Sequence, residues 1–186
     1  MGSEFYTYRL NSSTGNLVID GQLTEIASRQ PFFKEYSIPT TGHPEGYTYG
    51  WVWNDDTNLY VVIDFTPDNT MDGDADYSKV YVKTSSGVKE YKASVPETTW
   101  GRPFFIYTDK VAYQHKVYEY QIPLDDIGIA DNQTELDLAF EAYGTAAISA
   151  SASDNDNHAG VDGRDFFLTW SIKAADDEGI CQPGPL

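Results

Sequence analysis

The chain has 186 residues and a formal charge of −17, from 29 acidic against 12 basic side chains, a balance that repels nucleic acid and anionic membrane surfaces and calls for cations. A single cysteine, Cys181, excludes a disulfide framework and a cysteine-based metal site within one chain, and no apolar run is long enough to insert through a bilayer. The length suits one domain able to bury ~70% of the surface its unfolded chain exposes, and an aromatic share of 15%, led by 14 tyrosines, favours strands over helices.

In chain order, residues 1–5 (MGSEF) look like a cloning scar and residues 6–16 like a polar lead ending at the turn dipeptide Gly15-Asn16. The domain is expected to run from 17 to 173. Leu17-Val18-Ile19 reads as a short strand stopped by Asp20-Gly21, Leu23 to Ser28 as one helical turn before Pro31, and Phe32 and Phe33 as inward-packing residues. Residues 37–46 carry two prolines and two glycines and form a loop. Tyr47 to Trp53 and Leu59 to Phe65, rich in β-branched and aromatic residues and separated by the turn chemistry of Asn54 to Asn58, predict a hairpin. Alternation puts Tyr47, Tyr49, Trp51 and Trp53 on one face, and core is the better reading for Trp51, Trp53 and Trp170.

Lys79 to Lys83 and Val88 to Ser94 predict a second hairpin around Ser85-Ser86-Gly87. Residues 95–110, with two prolines and four aromatics, read as a long loop or edge. His115 to Ile122 is a strand, followed by a one-turn helix at Leu124-Asp125-Asp126-Ile127-Gly128 and a further strand over Glu135 to Gly144. Residues 145–165 turn to Ala, Ser, Asn, Asp and Gly before a closing strand, Phe166 to Ile172, and 174–186 resemble a linker. Short strands between turn clusters, with no long helical period, indicate an all-β, antiparallel β-sandwich of jelly-roll-like form with long acidic loops.

The acidic loops carry the metal chemistry. Asp68, Asp72, Asp74 and Asp76 crowd around the flexible Gly73 after Pro67, and oxygen-rich irregular backbone of this kind suits calcium, which takes six to eight oxygens. A true EF-hand is not present, because counting from Asp68 the twelfth position is Lys79 where a bidentate Glu is required. Asp154, Asp156 and Asp162 make a second cluster. The plain alternative for both is a solvated acidic face, since in water carboxylates ~6 Å apart repel by at most ~0.7 kcal/mol per pair. High acidity, abundant Tyr, Thr and Ser and oxygen-rich loops point to an extracellular or cell-surface setting, where calcium is plentiful.

Trp100, with Phe104 and Tyr107 nearby, sits in a Gly/Pro-bounded stretch suited either to ligand recognition or to plugging one end of the sandwich. Glu119 and Glu141 lie in aromatic strands, as paired glycosidase carboxylates sometimes do, but the better reading is ordinary outward-facing strand residues. With no nucleophile, zinc or phosphate motif and with His43, His115 and His158 far apart in sequence, no enzymatic activity is expected.

Four stretches carry a family resemblance: Val18-Ile19-Asp20-Gly21 with Glu25-Ile26, VWNDDTNLYVVIDFTPDN, VYEYQIPLDDIGI and DGRDFFLTWS. In order and rough spacing they resemble family 9 carbohydrate-binding modules and the related DOMON-like β-sandwiches, over most of residues 17–172. The resemblance implies a non-catalytic module attached to a larger secreted or surface protein, with structural calcium, a carbohydrate or other surface ligand, and as partners other domains of the parent or copies of itself. The sugar-clamping tryptophans of the family do not carry over, since GDADYSKVYV and SASASDNDNHAG lack Trp, and no haem site is matched.

Overall fold

The computed structural model describes residues 5–11, 15–38, 43–144 and 171–172. Among these residues the strands in chain order are β1 (Tyr6–Arg9), β2 (Phe33–Ser37), β3 (Gly46–Asn54), β4 (Asn58–Phe65) and β5 (Tyr77–Thr84). They continue as β6 (Gly87–Ser94), β7 (Gly101–Ile106), β8 (His115–Pro123), β9 (Glu135–Tyr143) and β10 (Ser171–Ile172). One sheet has the order β1-β9-β5-β6, with β10 also on β9; the other runs β2-β3-β4-β8-β7, and every pairing is antiparallel. This is the all-β sandwich anticipated from the strand pattern. Among the described residues no helix is long and apolar enough to cross a membrane.

The core lies between the sheets, where Leu59, Val61, Ile63 and Phe65 of β4 and Tyr118, Tyr120 and Ile122 of β8 meet Val80, Val82, Leu138 and Phe140 of β5 and β9. A second apolar layer covers the outer face of the β2-β3-β4-β8-β7 sheet. There Leu17 and Ile26 close over Trp51, Trp53, Tyr60, Val62 and Val117, and the two indole N–H groups donate to Arg29 O at 3.3 Å and Gly15 O at 3.2 Å. Both tryptophans are core, as their alternation suggests. Covered on both faces, β4 is buried from Leu59 to Phe65 with no alternation.

Several local expectations need correction. The polar lead contains β1, whose Tyr8 is buried and donates to Asn54 Oδ1 at 2.5 Å; pairing with β9, not apolar content, makes it a strand. Leu17-Val18-Ile19 forms no strand; Leu17 and Ile19 instead pack over the tryptophans while Val18 stays exposed. β2 begins at Phe33, whose ring fills the space left by Gly50 on β3; a Cβ there would lie 1.9 Å from the ring. The 95–110 stretch, by contrast, does hold an edge as one of its two readings had it: Gly101–Ile106 form β7, which carries Pro103 and pairs only with β8 among the described strands.

β4 and β5 belong to different sheets. Residues 66–76 therefore cross from one layer to the other at one end of the sandwich, carrying the first acidic cluster.

Candidate metal centre

The crossing is tied down residue by residue. Pro67 ends the β4 ladder, the Asp68 N–H donates to Phe65 O at 3.2 Å, and Lys116 N–H at the start of β8 donates to Asp68 O at 2.9 Å. Thr70 donates its hydroxyl to Asp72 Oδ2 at 2.5 Å, and both its N–H and its hydroxyl lie 3.4 Å from Asp68 Oδ1. A 3-10 turn, Gly73–Ala75, then reverses the chain, with Gly73 at φ 63, a conformation that glycine adopts without strain. Its closure lets the Asp72 N–H donate to Asp76 Oδ2 at 3.1 Å.

The result is that carboxylate oxygens of Asp68, Asp72 and Asp76 lie within 4.8 Å of one another. Two oxygens bound to one calcium at ~2.3–2.6 Å are separated by no more than ~5.2 Å, so the three can share one metal ion. Asp68 and Asp76 are fully buried and Asp72 is half-buried. Asp74, placed with them by spacing, sits exposed on the 3-10 turn and is not in the group. The turn aims Asp72 and Asp76 inward and leaves the residue between them in solvent.

The charge balance is incomplete. Lys116 Nζ, almost fully buried, lies 3.5 Å from Asp76 Oδ2; with all three carboxyls ionised, as metal ligation requires, one ammonium leaves two negative charges, the charge of one divalent cation. Among the described residues, Asp68 Oδ2 and the Tyr118 hydroxyl, both buried, have no hydrogen-bond partner. Burial, reinforced by the Asp76 charge and opposed by Lys116, pushes the Asp68 carboxyl well above the usual carboxylate range. Burial, with the charges of Asp68 and Asp76, likewise raises the Tyr118 phenol. An orphaned buried acceptor costs about 1–3 kcal/mol, and more when charged; a cation in the cluster removes that cost.

Lys116 and Tyr118 belong to β8, far along the chain from the loop, and alternating strand residues give no hint that they face an acidic cluster. Asp154, Asp156, Asp162 and Trp170 lie outside the described residues.

The three expected ligand residues are not brought together. Trp100 is half-buried, packs on the inter-sheet core and meets Tyr91 edge to face at 5.2 Å, which is the plugging role. Phe104 lies over Gly21, where an added Cβ would be 2.8 Å from its ring. Tyr107, 64% exposed, alone of the three presents its side chain to solvent.

Glu119 and Glu141 are buried, not outward-facing, because the cover over the tryptophans reaches β8 and tyrosines shield β9. Glu119 Oε2 accepts the N–H groups of Asp20 at 3.0 Å and Gly21 at 3.1 Å. Glu141 accepts the hydroxyls of Tyr77, at 3.0 Å, and of Tyr81. The two carboxylates stand in different sheets. Compared with family models, with curated proteins and with solved structures, the chain finds no match.

Proposed function

We propose that the chain is a non-catalytic, calcium-binding β-sandwich module of a secreted or cell-surface protein, which recognises a carbohydrate or another surface ligand. The observation that carries the reading is the convergence of Asp68, Asp72 and Asp76 with the unpartnered, buried Asp68 Oδ2. The donor set is all oxygen, with no histidine or cysteine within it, and hard oxygen donors in irregular backbone favour calcium over the softer transition metals. Bound there, calcium neutralises the residual charge of the cluster and fastens the crossing between the sheets to β8. The module half of the reading is supported by the resemblance to family 9 carbohydrate-binding modules and DOMON-like domains. Its non-catalytic character is supported by Glu119 and Glu141, each engaged in structural hydrogen bonds and held in separate sheets.

Calcium titration calorimetry on the full chain, on Asp68→Asn and on Asp74→Asn tests the reading. Wild type and Asp74→Asn bind calcium alike, whereas Asp68→Asn weakens binding ~10-fold or more, a loss of at least ~1.4 kcal/mol. Absence of calcium binding by the wild-type protein overturns it.

A further inference from the structure

Lys116, the second residue of β8, touches both ends of the acidic loop. Its N–H donates to Asp68 O at 2.9 Å, and its ammonium lies 3.5 Å from Asp76 Oδ2. Its neighbours across the sheet are Phe65 of β4 and Phe105 of β7, and its side chain is only 4% exposed. A buried ammonium is costly unless it is paired, and Asp76 is its ion-pair partner among the described residues.

The carboxylates of Asp68, Asp72 and Asp76, gathered within 4.8 Å, repel one another. Burial and the Asp76 charge both work against an ionised Asp68, and Lys116 opposes them. The Tyr118 hydroxyl, fully buried and without a hydrogen-bond partner among the described residues, stands near enough for the charges of Asp68 and Asp76 to act on it. In the ion-free protein Lys116 is the positive charge that keeps the crossing closed and joined to β8.

The same ammonium opposes a metal ion. A calcium bonded to Asp76 Oδ2 at ~2.3–2.6 Å stands no more than ~6 Å from Nζ, which is 3.5 Å from that oxygen. Like charges this close in a buried site repel strongly, since neither water nor salt screens them well. The repulsion grows in proportion to the charge of the ion, so a trivalent ion suffers more than a divalent one. Calcium affinity in oxygen sites follows the charge that the ligands supply and the rigidity with which they are held, and Lys116 subtracts from the first while adding to the second.

We propose that Lys116 is the specificity-determining residue of this site: a tethered cation that braces the three carboxylates when no metal is bound, and that holds down both the site's affinity for calcium and its preference for ions of higher charge. The assignment rests on the calcium reading above and extends it to a residue outside the ligand set. Calcium enters a loop that is already shaped and is held less tightly there, so the module keeps its fold when calcium is scarce and exchanges the ion readily.

Titration calorimetry of the full chain with calcium and with terbium(III), a hard trivalent ion that takes the same oxygen donors, tests this, alongside thermal unfolding in chelator. The variants are Lys116→Met, which removes the charge, Lys116→Gln, which also keeps a donor for Asp76, and Lys116→Arg, which keeps the charge. Lys116→Met is expected to bind calcium ~10-fold or more tightly than wild type and terbium ~30-fold or more tightly, raising the terbium-to-calcium affinity ratio ~3-fold. It also unfolds at a lower temperature in chelator, whereas Lys116→Arg keeps the wild-type ratio. Should Lys116→Met fail to fold, Lys116→Gln decides by the same comparison. Equal or weaker binding of both ions by the neutral variants, with the ratio unchanged, makes Lys116 a packing residue and overturns the proposal while leaving the calcium reading intact. Calcium binding by Lys116→Met but not by wild type upholds the proposal and overturns the calcium reading of the wild-type chain. No binding of either ion by any of the proteins overturns both.

Discussion

Two buried carboxylates carry the account at the level of single residues. Glu119 is fully buried, its Oε1 without a partner among the described residues, and burial, opposed by the N–H groups of Gly21 and Asp20, pushes its carboxyl up to about 7. A raised carboxyl means that the folded state binds more protons than the unfolded one, so this contribution to stability is complete below about pH 4.5 and is lost as pH rises through about 7. At about 1.4 kcal/mol per unit, it amounts to no more than about 3.5 kcal/mol. Glu119→Gln keeps an acceptor for the two amides and removes the titration. Urea unfolding at pH 5 and pH 8 is therefore expected to show a smaller loss of stability in the variant than in wild type. Equal losses would place the pH dependence elsewhere. Asp68 gives a crossed pattern: in chelator, Asp68→Asn is at least as stable as wild type because it removes one of three acidic groups crowded in a buried site, and in calcium it is less stable by about 1–3 kcal/mol. Chemical denaturation of both proteins under the two conditions checks this.

Among the elements, the β3–β4 hairpin is fixed by one side chain. Asp55 accepts the N–H groups of Thr57 at 2.8 Å and Asn58 at 2.7 Å, and its other oxygen accepts the Tyr60 hydroxyl at 2.6 Å. Asp55→Ala is expected to cost about 1–3 kcal/mol in equilibrium unfolding; a change within experimental error would show that strand packing alone sets the turn. This hairpin was legible because turn chemistry and β-branched runs agree, as they do in β5–β6 and at β8 with its one-turn helix. β2 was not, because Glu35 and Ser37 are buried on the same side as Phe33 and break the apolar alternation. Glu119 and Glu141 look outward-facing for a related reason: what covers them comes from distant segments. In the acidic loop the composition revealed the cluster, but the aim of each carboxylate depends on the 3-10 turn at Gly73–Ala75, which hides Asp76 and exposes Asp74. Lys116 and Tyr118 enter the site through sheet topology, which no local pattern encodes.

Over the whole molecule, the loop that gathers the acidic groups is also the connection between the two sheets, so a cation bound there acts on the joint of the sandwich. Two of the described sheet edges, β6 and β7, are poorly suited to self-association. β6 carries Lys89, Glu90 and Lys92, and β7 carries Pro103, which has no N–H to donate. The chain is accordingly expected to stay monomeric in light scattering with and without calcium. Calcium-induced growth in mass would instead favour a structural or adhesive subunit. The central claim, that the Asp68, Asp72 and Asp76 cluster is a structural calcium site, is tested most directly by thermal unfolding in chelator against millimolar calcium. Calcium at 100 times its dissociation constant adds about 2.7 kcal/mol, which for a domain of this size raises Tm by roughly 5–10 °C, and Asp68→Asn abolishes most of that rise. An unchanged Tm in wild-type protein, or an equal rise in Asp68→Asn, would contradict the account.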